Sequence, residues 1–188
     1  DEVLKELVSQ DSMLKSRKRG LSPENPKIRG TAQNPDVFFQ SREASNPLYM
    51  QLPDIVQSVM DNFYKLTGRK YGLVEYIGDK DAENIIVSMG SSCETIEETI
   101  SFLKSKTALI KIHLFHPFPV KMFLSLLPKT VKRIAVLDRV KESGSIGEPL
   151  YQNVRSIVDS SIEVFGGRYG LGSKEFKPRD VKAVIYGL

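Results

Sequence analysis

At 188 residues, 40% hydrophobic and 27% charged, the chain has the balance of an ordinary globular protein: one domain with a substantial core, or a domain plus an appendage. No apolar run approaches the ~20 residues of a membrane span. The net charge of +4 permits nucleic-acid binding without indicating it, and the densest basic run, Lys15-Ser16-Arg17-Lys18-Arg19, has no interleaved aromatic residues and reads as a solvated turn.

Cysteine usage excludes more. Cys93 is the single cysteine, so there is no internal disulfide, no cysteine-held iron–sulfur cluster and no cysteine-rich zinc site. His113 and His116 are the only histidines, and neither lies in an H-E-x-x-H pattern. The start, Asp1-Glu2-Val3-Leu4-Lys5, lacks the basic and apolar regions of a signal peptide and has no Met, as in a processed product or an excerpt.

In chain order, Val3, Leu4, Leu7 and Val8 predict a short helix within residues 1–20. Residues 21–53 are proline-rich and predict an irregular packed arm with a short extended piece at Val37-Phe38-Phe39. Ile55, Val56, Val59, Met60, Phe63 and Tyr64 form the apolar stripe of a helix ended by Thr67-Gly68. Tyr71 to Ile77 alternates as a strand, and Asn84 to Met89 reads as a strand buried on both faces.

After Gly90, Ser91 and Glu94 form an S-x-x-E capping box opening a helix, and removing it is expected to cost ~1 kcal/mol. Ala108 to Phe115 predicts a third strand, and a helix from Pro117 to about Leu127 follows. Arg133 to Asp138 predicts a fourth strand; after a polar loop, Leu150, Val154, Ile157 and Val158 mark a helix. Ile162 to Phe165 is a fifth strand, Gly166 to Gly172 a glycine-rich loop, and Pro178 opens the last helix. Residues 54–188 are thus an α/β domain of three layers, with a mostly parallel sheet and helices on both faces. Residues 1–53 read as a short helix and a connecting arm.

In such sheets ligands bind beyond the carboxyl ends of the strands. Gly90-Ser91-Ser92, His116-Pro117-Phe118, Asp138-Arg139 and the Gly166–Gly172 loop are expected there. The Gly90 turn has neither the three spaced glycines of a dinucleotide site nor a P-loop lysine. Glu94, Glu97 and Glu98 put negative charge where a phosphate would sit, so a plain helix start is the favoured reading over an anion site. Cys93 with His116 as base would make a cysteine hydrolase, but nothing specifies an orienting group, and a buried small cysteine is the more usual case.

An ordered set of segments carries a resemblance: Arg29-Gly30-Thr31-Ala32-Gln33-Asn34-Pro35-Asp36, Arg42-Glu43-Ala44, Leu66-Thr67-Gly68-Arg69, Met89-Gly90-Ser91-Ser92-Cys93-Glu94-Thr95, Pro117-Phe118, Val136-Leu137-Asp138-Arg139, Gly147-Glu148-Pro149-Leu150-Tyr151 and Gly167-Arg168-Tyr169-Gly170-Leu171-Gly172-Ser173-Lys174-Glu175-Phe176. Together they resemble pyruvate:ferredoxin (flavodoxin) oxidoreductase over the whole chain. The resemblance implies an internal piece of a longer polypeptide: residues 1–53 as the tail of a preceding, pyrimidine-binding domain with a connecting arm, and residues 54–188 as a second domain with the fold of a transketolase C-terminal domain. It implies a homodimer that converts pyruvate and coenzyme A to acetyl-CoA and CO2 and reduces ferredoxin or flavodoxin. Thiamine diphosphate, Mg2+ and [4Fe-4S] clusters would serve that enzyme in the cytoplasm or a hydrogenosome-like organelle, without nucleic acid or membrane.

No catalytic, cofactor or metal residue of the family can be carried onto this chain, which lacks the cluster cysteines and the GDG…N motif. Its region is expected to be structural and inactive alone, with Arg29, Thr31, Asn34, Asp36, Arg42, Asp138, Arg139, Arg168 and Tyr169 as docking residues. Asp138-Arg139-Val140-Lys141-Glu142-Ser143-Gly144 departs from the family pattern by losing a loop proline. Two alternatives stand beside this reading: a relative that passes electrons to NADP, and an independent anion-binding module using Gly90–Ser92.

Overall fold

The computed structural model describes residues 1–28, 30 and 32–188. Two compact units divide it at Tyr71 and Gly72. Four helices make up the first: α1 (Glu2–Leu7), α2 (Gln10–Lys18), α3 (Pro35–Ala44) and α4 (Asn46–Thr67).

Residues 35–44 and 46–53 are helical, where an irregular arm was expected. Val37-Phe38-Phe39 lies inside α3, and α4 begins at Asn46 and runs through Pro53. Prolines 35 and 47 sit in the first turns of their helices, where the missing N–H has no intrahelical partner to lose. Asn34 Oδ1 accepts the Val37 N–H at 3.0 Å and caps α3. Pro53 costs α4 one internal hydrogen bond that a 22-residue helix absorbs. At its end Gly68 adopts a left-handed φ of 73°, and its N–H reaches Tyr64 O at 2.8 Å, as the Thr67-Gly68 pair predicts.

Five strands form the second unit: β1 (Val74–Gly78), β2 (Asn84–Ser88), β3 (Thr107–Ile112), β4 (Arg133–Asp138) and β5 (Glu163–Arg168), in the spatial order β1-β3-β2-β4-β5. The pairings β2–β3, β2–β4 and β4–β5 are parallel; β1 lies antiparallel to β3, with Val74 opposite Ile112. The five residues between β1 and β2 are too few for a crossover helix, so β1 runs opposite to its neighbours. The helices are α5 (Ser92–Leu103), α6 (Val120–Leu126), α7 (Pro149–Ile157) and α8 (Pro178–Gly187).

Alternation in β2 explains the layers. Ile86 joins Ile96, Ile100, Leu109, Leu137 and Val181 in one core that α5 and α8 cover. Ile85 and Val87 point the other way and are fully buried, as are Phe123 of α6 and Leu150 and Val154 of α7. At about 25 cal/mol per Å2, each such side chain contributes ~1.5–3 kcal/mol.

β5 extends through Gly166 and Gly167, which the sequence reading placed in a loop. A Cβ on Gly166 would stand 3.1 Å from the Tyr151 ring, and one on Gly167 2.7 Å from Leu137 Cδ2. Glycine is present here for close approach, and the strand continues.

Candidate functional site

From β2 the chain passes through α5 to β3 on one side; from β4 it passes through α7 to β5 on the other. The switch point of the sheet therefore lies between the carboxyl ends of β2 and β4. Three loops meet there, residues 89–91, 139–148 and 169–177.

Asp138 ends β4 and is 1% exposed. Its Oδ1 accepts the Leu150 N–H at 2.9 Å and its Oδ2 the Tyr151 N–H at 3.1 Å. These are the first two N–H groups of α7, because Pro149 has none. Burial raises the Asp138 carboxyl above its usual range, and the two backbone bonds pull against that.

Glu148, 3% exposed, accepts the Glu142 N–H at 2.7 Å and pairs with Arg168 Nε; Lys141 Nζ stands 3.9 Å away. The Glu142 bond and Arg168 lower its carboxyl. Two buried carboxylates thus fix both ends of the 139–148 loop. Tyr151 packs over Gly147 and Gly166, where no Cβ intrudes.

A second network links β2, α5 and the 169–177 loop. Tyr169 OH donates to Ser92 Oγ at 2.9 Å, Ser92 Oγ reaches Met89 O at 3.2 Å, and Ser88 Oγ lies 2.8 Å from Ser92 Oγ. The Tyr169 ring packs on Phe176 with centroids 4.7 Å apart.

The predicted capping box is absent. Ser91 is helical and makes no side-chain cap bond. Glu94 instead bonds Lys111 Nζ at 3.0 Å, and Glu97 bonds the same ammonium at 2.6 Å. Lys111 is 8% exposed; burial pulls its pKa down, but Glu97 and Glu94 outweigh this and raise it. Cys93 is buried at 3%, and burial pushes its thiol up to about 11. It is no thiolate nucleophile. His116 stacks on Phe115 at 4.2 Å.

The expected docking residues separate into two groups. Asn34, Asp36 and Arg42 belong to the helical unit, where Asn34 caps α3 and the other two are exposed on it. Arg29 and Thr31 lie outside the described residues. Asp138, Arg139, Arg168 and Tyr169 gather at the carboxyl end of the sheet. Asp138 faces the interior, and Arg168 turns to Glu148, so both hold their own loop. Arg139 is exposed and donates from Nε to Gly170 O at 3.2 Å.

Glu148, Tyr151 and Lys111 were missed as determinants of this region. The one signal available was an acid directly before proline, Glu148-Pro149, at a helix start. Among the described residues, no group of three or more His, Cys, Asp or Glu side chains could hold a metal ion, and no helix is long and apolar enough to cross a membrane.

The fold is an α/β unit whose switch-point loops are tied down by the buried carboxylates of Asp138 and Glu148. Residues 82–181 match the family model described as pyruvate:ferredoxin oxidoreductase core domain II. The whole chain is 55% identical to the pyruvate:ferredoxin oxidoreductase of Moorella thermoacetica and 46% identical to the pyruvate-flavodoxin oxidoreductase of Nostoc. It spans only 16% and 17% of those proteins' lengths. The pyruvate dehydrogenase [NADP(+)] of Cryptosporidium parvum is 47% identical over 97% of the chain, which spans 10% of it. A solved 2-oxoglutarate:ferredoxin oxidoreductase from Magnetococcus marinus aligns with 88% of the chain and 27% of its own at 15% identity and a TM-score of 0.49. The chain belongs to the pyruvate:ferredoxin (flavodoxin) oxidoreductase family.

Proposed function

We propose that this chain is a domain-docking region of an enzyme that oxidatively decarboxylates pyruvate. The reaction takes pyruvate and coenzyme A to acetyl-CoA, CO2 and a proton, and delivers two electrons to ferredoxin or flavodoxin. The carrying observation is the match of the whole chain, at 46–55% identity, to pyruvate oxidoreductases of which it spans about a sixth.

The parent enzyme uses thiamine diphosphate with Mg2+ to stabilise the carbanion, and [4Fe-4S] clusters to take electrons singly. The residues here do not fit those groups: Cys93 is a lone buried thiol, and no metal-holding cluster exists among the described residues. The cofactors belong to the rest of the polypeptide. The parent works as a cytoplasmic homodimer, or in a hydrogenosome-like organelle.

Docking has support in the helical unit. None of its four helices has a buried residue, and Phe38, Phe39, Leu48, Tyr49 and Met50 are all more than half exposed. That much open apolar surface suits burial against neighbouring domains. Asp36 and Arg42 supply polar contacts of the same kind, and Arg29, Thr31 and Asn34 extend them along the chain. Asp138, Arg168 and Tyr169 serve docking through the loops they hold.

A second reading, a parent that reduces NADP, rests on the Cryptosporidium match. The test is the full-length enzyme with Phe38→Ser and Phe39→Ser together. Docking predicts a lower yield of assembled dimer with an unchanged KM for pyruvate; unchanged assembly and altered KM would contradict it.

A further inference from the structure

The geometry points to an oxyanion site at the switch point, sized for one phosphate group, in a depression of about 210 Å3 whose polar lining is Arg139, Lys174, Ser91, Thr95, Ser173 and one acid, Glu175. It goes beyond docking and takes Arg139 out of that role.

Arg139 carries the inference. Its Nε is spent on Gly170 O, and the side chain lies flat against Gly170, whose φ is +62°. A Cβ there would stand 3.0 Å from Arg139 Nε, so the glycine is needed both for the turn and for the arginine. This contact fixes the guanidinium through one nitrogen. Nη1 and Nη2, the fork that grips an oxyanion in two bonds, have no acceptor or carboxylate partner among the described residues.

Lys174 supplies a second cation without a carboxylate partner. It follows a turn in which Gly170, Gly172 and Ser173 all have positive φ, 62°, 58° and 62°. Ser173 holds that conformation against the preference of an L side chain.

Three acids in or near the depression, Glu94, Glu97 and Glu175, are each paired with a lysine. The sequence places Glu94, Glu97 and Glu98 in the first turns of α5, where they oppose an anion. Glu94 and Glu97 are both committed to Lys111, and the box does not form. Glu175 lines the depression and is paired with Lys177 at 2.5 Å. Ser91 and Thr95, at the start of the 12-residue α5, line the same depression as the two cations. The wall is built: Ser92, 5% exposed, accepts the Tyr169 hydroxyl and is backed by the fully buried Ser88.

A tetrahedral oxyanion matches this set: a planar fork, a point charge and hydroxyl donors. Inorganic phosphate and the phosphate of a nucleotide share that chemistry. The test is hydrogen–deuterium exchange on the full-length holoenzyme, with and without inorganic phosphate, and separately with ADP. Peptides covering 88–95 and 168–176 isolate this site from cofactor sites elsewhere. Protection of both peptides by either probe is the expected result. Protection at lower ADP than phosphate would identify a nucleotide phosphate as the ligand.

Arg139→Gln and Lys174→Gln should each raise the required concentration about ten-fold, with unchanged thermal unfolding. Absence of protection in the wild-type enzyme would overturn the site, as when an acidic side chain of a neighbouring domain already fills it. Equal protection in the Arg139→Gln/Lys174→Gln double variant would overturn it too. The Phe38/Phe39 assembly test is unaffected by either result.

Discussion

Asp138 caps a helix that begins eleven residues after it: its Oδ1 accepts the Leu150 N–H at 2.9 Å. The same carboxylate holds Tyr151 N, so one buried side chain ties β4 to α7. Asp138→Ala leaves two α7 amides without an acceptor in a closed space. It should lower stability by about 2 kcal/mol in urea unfolding, and Asp138→Asn, which keeps one acceptor, by about 1 kcal/mol. A loss under 0.5 kcal/mol for the alanine variant would show that water replaces the cap.

Glu148 and Asp138 give acid unfolding opposite signs. Glu148 has a folded value below its ordinary 4.5, so its stabilisation is complete above pH 4.5 and is lost as pH falls through the folded value. Asp138 has a folded value above 3.8, so its contribution grows as pH falls towards 3.8. Glu148→Gln should therefore flatten the fall in urea midpoint as pH drops below 4.5. Asp138→Asn should steepen it. The reverse order would contradict the assigned network.

Ser91 and Ser92 are adjacent and should behave differently. Ser91 makes no cap bond, so Ser91→Ala should change stability by less than about 0.5 kcal/mol. Ser92 joins Ser88, Met89 and Tyr169, so Ser92→Ala should cost about 1–2 kcal/mol in the same assay.

Cys93 should be silent to thiol chemistry. With 3% exposure and a thiol pushed up to about 11, it should react with an aromatic disulfide reagent at pH 8 only after urea is added. Rapid labelling of the folded chain would contradict its burial.

The sheet was legible where strands are continuous apolar runs. Asn84–Ser88 and Arg133–Asp138 are buried along nearly their whole lengths, and composition alone reveals such runs. The 35–53 stretch was misread because proline density was taken as irregularity. Asn34-Pro35 and Asn46-Pro47 are helix openings, and the position of a proline within its helix decides its effect. The capping box failed for a different reason: Lys111, 17 residues after Glu94, competes for that carboxylate. The buried pairs at Asp138, Glu148 and Arg168 join groups 10 to 20 residues or more apart, and local spacing does not record them.

The central claim is that this region supports, and does not perform, pyruvate oxidation. Pyruvate- and CoA-dependent viologen reduction, measured on the full-length polypeptide and on the 188-residue chain side by side, tests it most directly. The account predicts an active, iron-containing full-length enzyme and no activity in the shorter chain. A full-length protein that is inactive with pyruvate and CoA, or a 188-residue chain that turns over alone, would contradict it.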